Sequence, residues 1–233
     1  MNSSTYVQRR GQLEDYFDRT AVDAWSRLTS DAPVGRIRAT VRAGRDRMRA
    51  MLLSWLPADL AGARLLDAGC GTGALSAAAA ERGADVVAID LSPTLVGLAR
   101  ERLPSPLRRG AIDFCVGDML DPALGSFDYV VAMDSLIHYR APDVVRALST
   151  LGARTGRAML ITFAPRTTAL AAMHAAGRLF PRGDRAPAIE PIAEDALRAA
   201  ITREPALQAW RPGRSERVAS GFYTSQAQEL VRR

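Results

Sequence analysis

The hydrophobic pattern changes period along the chain. Leu13, Tyr16, Phe17, Ala21, Ala24, Trp25 and Leu28 recur at helical spacing and give one greasy, aromatic face over residues 13–28. A second helix is predicted from near Ile37. Ile37, Val41, Met48, Leu52 and Trp55 mark one of its faces, Arg38, Arg42, Arg45 and Arg49 stripe another, and Pro57 closes it. The stripe reads as a solvated face, with anion binding or contact with a membrane surface as the alternative. The central part then alternates strand and helix. Strands are predicted at 64–67, 85–90, 112–116, 129–133 and 158–163, and helices at 73–82, 93–102, 142–151 and 168–179. This is the pattern of a parallel sheet covered on both sides, and such sheets bind ligands beyond the carboxyl ends of their strands. Asp67, Asp90, Asp118 and Asp134 all fall at such ends. Pro165, Pro181, Gly183, Pro187 and Pro191 break residues 164–191 into a long arm around one helix, a length that tends to be functional. A helix over 193–201 and strand-like stretches near 207–211 and 218–224 end the chain, the latter pair expected to be antiparallel. The division that follows is an N-terminal helical cap over 1–57 and a main domain over 58–233.

Between the first strand and its helix lies LLDAGCGTG, residues 65–73, with Gly69, Gly71 and Gly73 at alternate positions. Glycine suits such a turn because it tolerates positive φ and lets a ligand approach the main chain. The free N–H groups of the following helix can hold an anionic group. Gly69-x-Gly71-x-x-Ala74 also satisfies the permissive dinucleotide fingerprint, with Asp90 at about the right distance downstream, so NAD is an alternative ligand. Asp67 tilts the reading, because a carboxylate there suits an ammonium group and sits poorly beside a pyrophosphate. S-adenosylmethionine (SAM) offers that ammonium, a carboxylate for the helix N-terminus and a ribose for Asp90.

The D-x-G-x-G-x-G form resembles the first motif of class I methyltransferases, and VVAID (86–90) and VGDM (116–119) agree with it. The resemblance implies a Rossmann-like α/β fold with a mostly parallel seven-stranded sheet and helices on both faces. It implies that Asp90 and Asp118 hold the ribose hydroxyls and the adenine. The cofactor-binding set is then Asp67, Gly69, Cys70, Gly71, Gly73, Asp90, Leu91, Asp118, Met119 and Met133.

Composition narrows the setting. The 233 residues suffice for one sizeable domain with an embellishment. No apolar run reaches spanning length and the start MNSSTYVQRRGQLEDYF lacks a signal-peptide core, so a cytoplasmic setting is expected. The two cysteines form neither a disulfide pattern nor a metal spacing, and no protein-bound metal is expected. The net charge of +6 is carried by arginine, since the chain has no lysine. A basic protein attracts anionic partners such as lipid headgroups, nucleic acid or a carboxylated substrate. With no appended RNA-binding module or aromatic-rich basic motif, nucleic acid is not expected.

Methyl transfer from a sulfonium is an in-line displacement, so alignment of nucleophile, methyl carbon and sulfur dominates. A carboxylate acceptor is already ionised at neutral pH and needs no base; positioning and partial desolvation remain for the protein to supply. Of the two histidines, His174 sits in a helix-like run and reads as structural. His138, in AMDSLIHYR, lies just past the fourth strand on the rim where an acceptor approaches. Tyr16 is, by pattern, one aromatic on a buried helix face.

Several stretches together resemble the magnesium-protoporphyrin IX O-methyltransferases of (bacterio)chlorophyll biosynthesis. They are DYFDRTAVDAWSRL, LLDAGCGTGALS, VVAIDLS, DSLIHY, ITFAPRT with FP further on, and ERVASGFYTS. They span nearly the whole chain. The resemblance implies methylation of a propionate of the magnesium porphyrin, giving a methyl ester and S-adenosylhomocysteine (SAH). It implies functional roles for Tyr16 and His138, hand-over of porphyrin from the large subunit of magnesium chelatase, and loose membrane contact. Arg166, Arg182 and Arg185 are candidates for the second propionate, because guanidinium matches carboxylate in a bidentate fork. The competing readings are a class I methyltransferase acting on another small molecule, such as a quinone precursor, and a non-catalytic SAM-binding protein.

Overall fold

β1 (Arg64–Ala68), β2 (Asp85–Asp90), β3 (Ala111–Val116), β4 (Phe127–Ala132), β5 (Thr155–Phe163), β6 (Trp210–Ser220) and β7 (Tyr223–Arg232) form one sheet in the order β3-β2-β1-β4-β5-β7-β6. The computed structural model describes residues 4–20, 35–103, 107–166 and 188–233. The first five strands run parallel, Leu66 standing opposite both Val87 and Val130, while β7 runs antiparallel to β5 and β6. Strand order reverses at β1, which opens a crevice at the carboxyl ends of β1 and β4.

Side chains alternate across the sheet and feed two cores. Leu66, Val130 and Ile161 face one side, with Tyr6 and Leu13 of α1 (Ser4–Asp15), Val144 and Leu148 of α5 (Ala141–Gly152), and Leu197 and Ile201 of α6 (Glu194–Arg203). Leu65, Val131 and Leu160 face the other. There they meet Met48 and Leu52 of α2 (Arg36–Trp55), Ala79 and Ala80 of α3 (Ala74–Glu81), and Val96 and Ala99 of α4 (Pro93–Arg102). Helix α4 starts where Ser92 accepts a bond from the Leu95 N–H at 3.2 Å, with Pro93 in its first turn. Because α2 shares a core with the sheet, the cap expected over 1–57 and the domain expected over 58–233 meet in one hydrophobic interior.

Three expectations need correction or restriction. The first helix begins at Ser4 rather than near Leu13, and passes into a π-helical turn over Tyr16–Thr20; residues 21–34 lie outside the described residues. The closing strands are 210–220 and 223–232 instead of 207–211 and 218–224, which places the hairpin turn where a strand was expected. The helix expected at 168–179 and His174 lie outside the described residues.

Candidate functional site

An open cavity of about 280 Å³ lies at the carboxyl ends of β1, β2 and β4, the size class of a small-molecule cleft. Its floor is the turn after β1. Gly69 N–H and Cys70 N–H both donate to the Ile89 carbonyl, at 2.8 and 3.0 Å. Gly71 N–H donates to Asp90 Oδ2 at 2.8 Å, and Ser92 N–H to Asp90 Oδ1 at 3.0 Å. Asp90 thereby ties the turn to β2. Gly69 has φ +86°, and a Cβ there would lie 2.4 Å from the Ser135 Cβ, so only glycine fits. Asp67, 2% exposed, accepts from the Ser76 hydroxyl at 2.5 Å. Burial, reinforced by the charge of Asp90 and opposed by Ser76, pushes its carboxyl up to about 7. Burial also raises the Asp90 carboxyl, and raises the Cys70 thiol well above its usual range, which disfavours the thiolate.

Past β4 the chain turns sharply at Asp134, the non-glycine residue with positive φ among the described residues, at +56°. Its carboxylate is a hub. Arg45 of α2 donates to Oδ2 at 2.9 Å, Tyr223 donates to both oxygens at 3.1 Å, and Thr162 and Ser225 donate to Oδ1 at 3.2 Å. The unusual backbone is held by this network and aims the next residues at the cavity. Ser135 lines it with a buried hydroxyl that has no hydrogen-bond partner among the described residues. His138, 7% exposed, lines it too, with Nδ1 at 3.4 Å from the Ala188 carbonyl and its ring 5.9 Å from the Phe17 ring in an edge contact.

The N-terminal elements make the rim. Tyr6 stacks on Tyr139 at 4.9 Å and donates to Asp118 at 2.8 Å; Arg10 pairs with the other oxygen of Asp118 at 2.9 Å, and Arg9 with Glu190 at 3.0 Å. Burial, with Tyr139 and Asp118 close by, raises the Tyr6 hydroxyl far above its ordinary range. Asp18 of the π-helical turn accepts from the Thr94 hydroxyl at 2.7 Å and from Ser92 at 3.2 Å, which pins the turn to the start of α4. Leu13 and Phe17 complete the wall.

Of the expected cofactor residues, Asp67, Gly69, Cys70, Gly71, Asp90, Leu91, Met119 and Met133 line the cavity. Gly73, with φ +77°, closes the turn at the start of α3. Asp118 is not among the lining residues; Tyr6 and Arg10 of α1 hold its carboxylate. Tyr16 is also outside the lining. It is half-buried against the edge of Phe17, with ring centres 5.1 Å apart, and Phe17 is the aromatic that reaches the cavity. Arg166 does not reach it either: its side chain is exposed while its N–H bonds to the Ile192 carbonyl at 3.0 Å. Arg182 and Arg185 lie outside the described residues. Sequence reasoning missed Ser135 and Tyr139, although both stand in the DSLIHY stretch beside His138. The arginine stripe read first as a solvated face with anion binding or membrane contact as the alternative, and three of its members, Arg42, Arg45 and Arg49, line the cavity.

This lining fits a ligand with an ammonium, a carboxylate and a ribose: glycine main chain at the floor, carboxylates at the strand ends, and at Ser135 a buried hydroxyl without a partner among the described residues. A profile described as the magnesium-protoporphyrin IX methyltransferase C-terminus matches residues 132–232, and a methyltransferase-domain profile matches residues 65–155. The chain is 52% identical over 231 residues to a magnesium-protoporphyrin O-methyltransferase of Rhodobacter capsulatus, covering 97% of this chain and 98% of the relative. It is 33% identical over 171 residues to the magnesium-protoporphyrin O-methyltransferase of a Synechocystis strain, covering 72% and 74%. The crystal structure of a Synechocystis magnesium protoporphyrin IX methyltransferase with bound SAH matches with a TM-score of 0.84 at 29% identity, over 96% of this chain and 100% of that one. The chain belongs to the magnesium-protoporphyrin O-methyltransferase family.

Proposed function

We propose that this chain methylates a propionate carboxylate of magnesium protoporphyrin IX, taking the methyl group from SAM and releasing SAH. The observation that carries the reading is a 52% identity that runs through 97% of the chain, well beyond the cofactor motifs. SAM supplies an electrophilic methyl carbon, and the protein's task is to align the acceptor with it. Asp90 and the glycine turn suit the ribose, Asp67 the ammonium, and Leu91, Met119 and Met133 offer apolar surface for the adenine.

The propionate is ionised at neutral pH, so no general base is required. His138 then serves to orient the acceptor. Its Nδ1 lies 3.4 Å from the Ala188 carbonyl, and its place in the lining suits contact with the propionate or the magnesium. Tyr16 acts through Phe17 as a positioning residue, since Phe17 abuts His138. Mixing purified protein, SAM and magnesium protoporphyrin IX should give a monomethyl ester by mass spectrometry; no product despite SAH binding overturns the substrate. His138→Ala should lower turnover at least about tenfold with weaker porphyrin binding. Unchanged turnover and affinity would remove the role of His138.

We also propose that the enzyme works in the cytoplasm at an anionic membrane surface, where it receives porphyrin from the large subunit of magnesium chelatase. Supporting this are two exposed apolar side chains, Ile37 and Phe222, with Arg36, Arg38 and Arg47 exposed on the same helix as Ile37. Gly221 packs against Thr40, one turn along that helix, so the hairpin tip and the helix start form one patch. Among the described residues no helix is long and apolar enough to cross a membrane. Co-sedimentation with anionic vesicles, lost in Phe222→Asp, is the expected result, and wild-type protein that stays in the supernatant contradicts it. Faster methylation of porphyrin delivered on the chelatase subunit than of free porphyrin would support hand-over, and equal rates would count against it.

A further inference from the structure

Helix α2 presents a row of arginines to the cavity. Arg42, Arg45 and Arg49 are three or four residues apart, share one helix face, and all line it. The helix is fixed in that orientation from behind. Gly44 lies so close to β7 that a Cβ there would come within 2.5 Å of the Tyr223 ring, and Met48 and Leu52 are fully buried. Opposite, the floor carries Asp67 and Asp90. The cavity is therefore bipolar, with carboxylates at the strand ends and, on the α2 wall, three guanidinium groups against the single carboxylate of Asp46.

The arginines are differently engaged. Arg45 is committed to the Asp134 hub at 2.9 Å. Arg49 pairs with Asp46 at 2.8 Å, one turn away on its own helix and half exposed, a kind of pairing that a ligand carboxylate readily replaces. Arg42 lies one turn before Arg45 on the same wall. Guanidinium matches carboxylate through two parallel N–H donors, and more strongly where water is partly excluded. Which carboxylate it serves follows from the chemistry. Methylation removes the charge of the reacting carboxylate, so a guanidinium gripping that group would stabilise the ground state and oppose transfer. The wall therefore suits a carboxylate that survives the reaction.

Resting on the function proposed above, we infer that Arg42 and Arg49 form a recognition site for a non-reacting carboxylate, either the α-carboxylate of SAM or the second propionate of the porphyrin. The double variant Arg42→Gln/Arg49→Gln tests it, with SAH titrated by calorimetry and magnesium protoporphyrin IX by absorbance. At least a tenfold loss of affinity for one ligand is expected. Weaker SAH binding, together with loss of the wild-type preference for SAH over 5′-methylthioadenosine, identifies the cofactor carboxylate. Weaker porphyrin binding with SAH unchanged identifies the second propionate. Arg49→Gln alone leaves the Arg45–Asp134 pair intact and carries the test if the double variant does not fold. Wild-type affinity for both ligands in a folded variant overturns the inference. A wild-type protein that binds SAH but leaves magnesium protoporphyrin IX unmethylated overturns the substrate reading instead, and the SAH titration still reports on the arginines.

Discussion

The floor and the rim of the cavity are built by opposite means. At the floor, main-chain N–H groups of one turn do the holding: Gly69 and Cys70 bond to the Ile89 carbonyl, and Gly71 to the Asp90 carboxylate. At the rim, side chains meet across long separations, 89 residues for Arg45 with Asp134, 108 for Arg10 with Asp118 and 112 for Tyr6 with Asp118. A floor made of backbone depends on conformation, and glycine is what its conformation demands. A rim made of side-chain pairs can be altered one residue at a time. The floor is thus set by geometry that many sequences can supply, whereas the rim depends on particular residues brought from the first two helices.

The sharpest way to break this contrast is Gly69→Val. A β-branched side chain at φ +86°, with its Cβ 2.4 Å from that of Ser135, is excluded by both strain and overlap. The expected cost is about 3 kcal/mol of stability, read by thermal melting, with SAH affinity down by roughly a hundredfold. A Gly69→Val variant that binds SAH normally would show that the floor does not depend on its backbone. Next comes Asp134→Asn, which keeps shape but removes the charge opposite Arg45. A partly buried guanidinium left without its carboxylate should cost about 2 kcal/mol. Turnover should fall about tenfold while SAH affinity stays within about threefold, because the loss is one of positioning. Equal losses in SAH affinity and turnover would merge rim and floor into one unit. Tyr6→Phe is milder. It keeps the stack on Tyr139 and deletes one bond to Asp118, about 1 kcal/mol, visible as faster amide exchange in α1 with the global melt unchanged.

The same contrast governs what could be read from the sequence. The parallel strands and the glycine turn were legible because period and turn chemistry are local. The strand β7 was not, because its buried positions include Gln226, Gln228 and Glu229. These are satisfied by partners that a hydrophobic pattern ignores: Gln228 donates to the Arg214 carbonyl at 3.1 Å, and Glu229 pairs with the Arg214 guanidinium. Helix α1 escaped because only Tyr6 and Leu13 bury their side chains on it. Between Tyr16 and Phe17 the sequence offers two neighbouring aromatics, and the change from α to π winding at Tyr16 decides which one faces the cavity. An arginine stripe looks the same whether it faces water or a cleft. What turns it inward is the close approach of Gly44 to Tyr223, a contact between distant parts of the chain.

The smallest expected effect is electrostatic and tests whether the floor contributes charge as well as shape. Burial holds the Asp67 carboxyl at about 7, against an ordinary aspartate value of 3.8. Between those two pH values the native state therefore binds more protons than the unfolded chain, and stability should fall as pH rises from about 4 to about 7, then level off. Asp67→Asn removes that slope. A ligand ammonium beside Asp67 favours the ionised form, so SAH binding should expel a proton and tighten by about threefold between pH 6.5 and 7.5. Calorimetry in two buffers of different ionisation enthalpy reads the proton directly. No proton release, with the same pH profile in Asp67→Asn, would mean that Asp67 takes no part in binding the cofactor and that its carboxylate serves only to accept from Ser76. Proton release in the wild type that disappears in Asp67→Asn would show that the Asp67 side chain recognises the ligand ammonium, beside the backbone turn and Asp90.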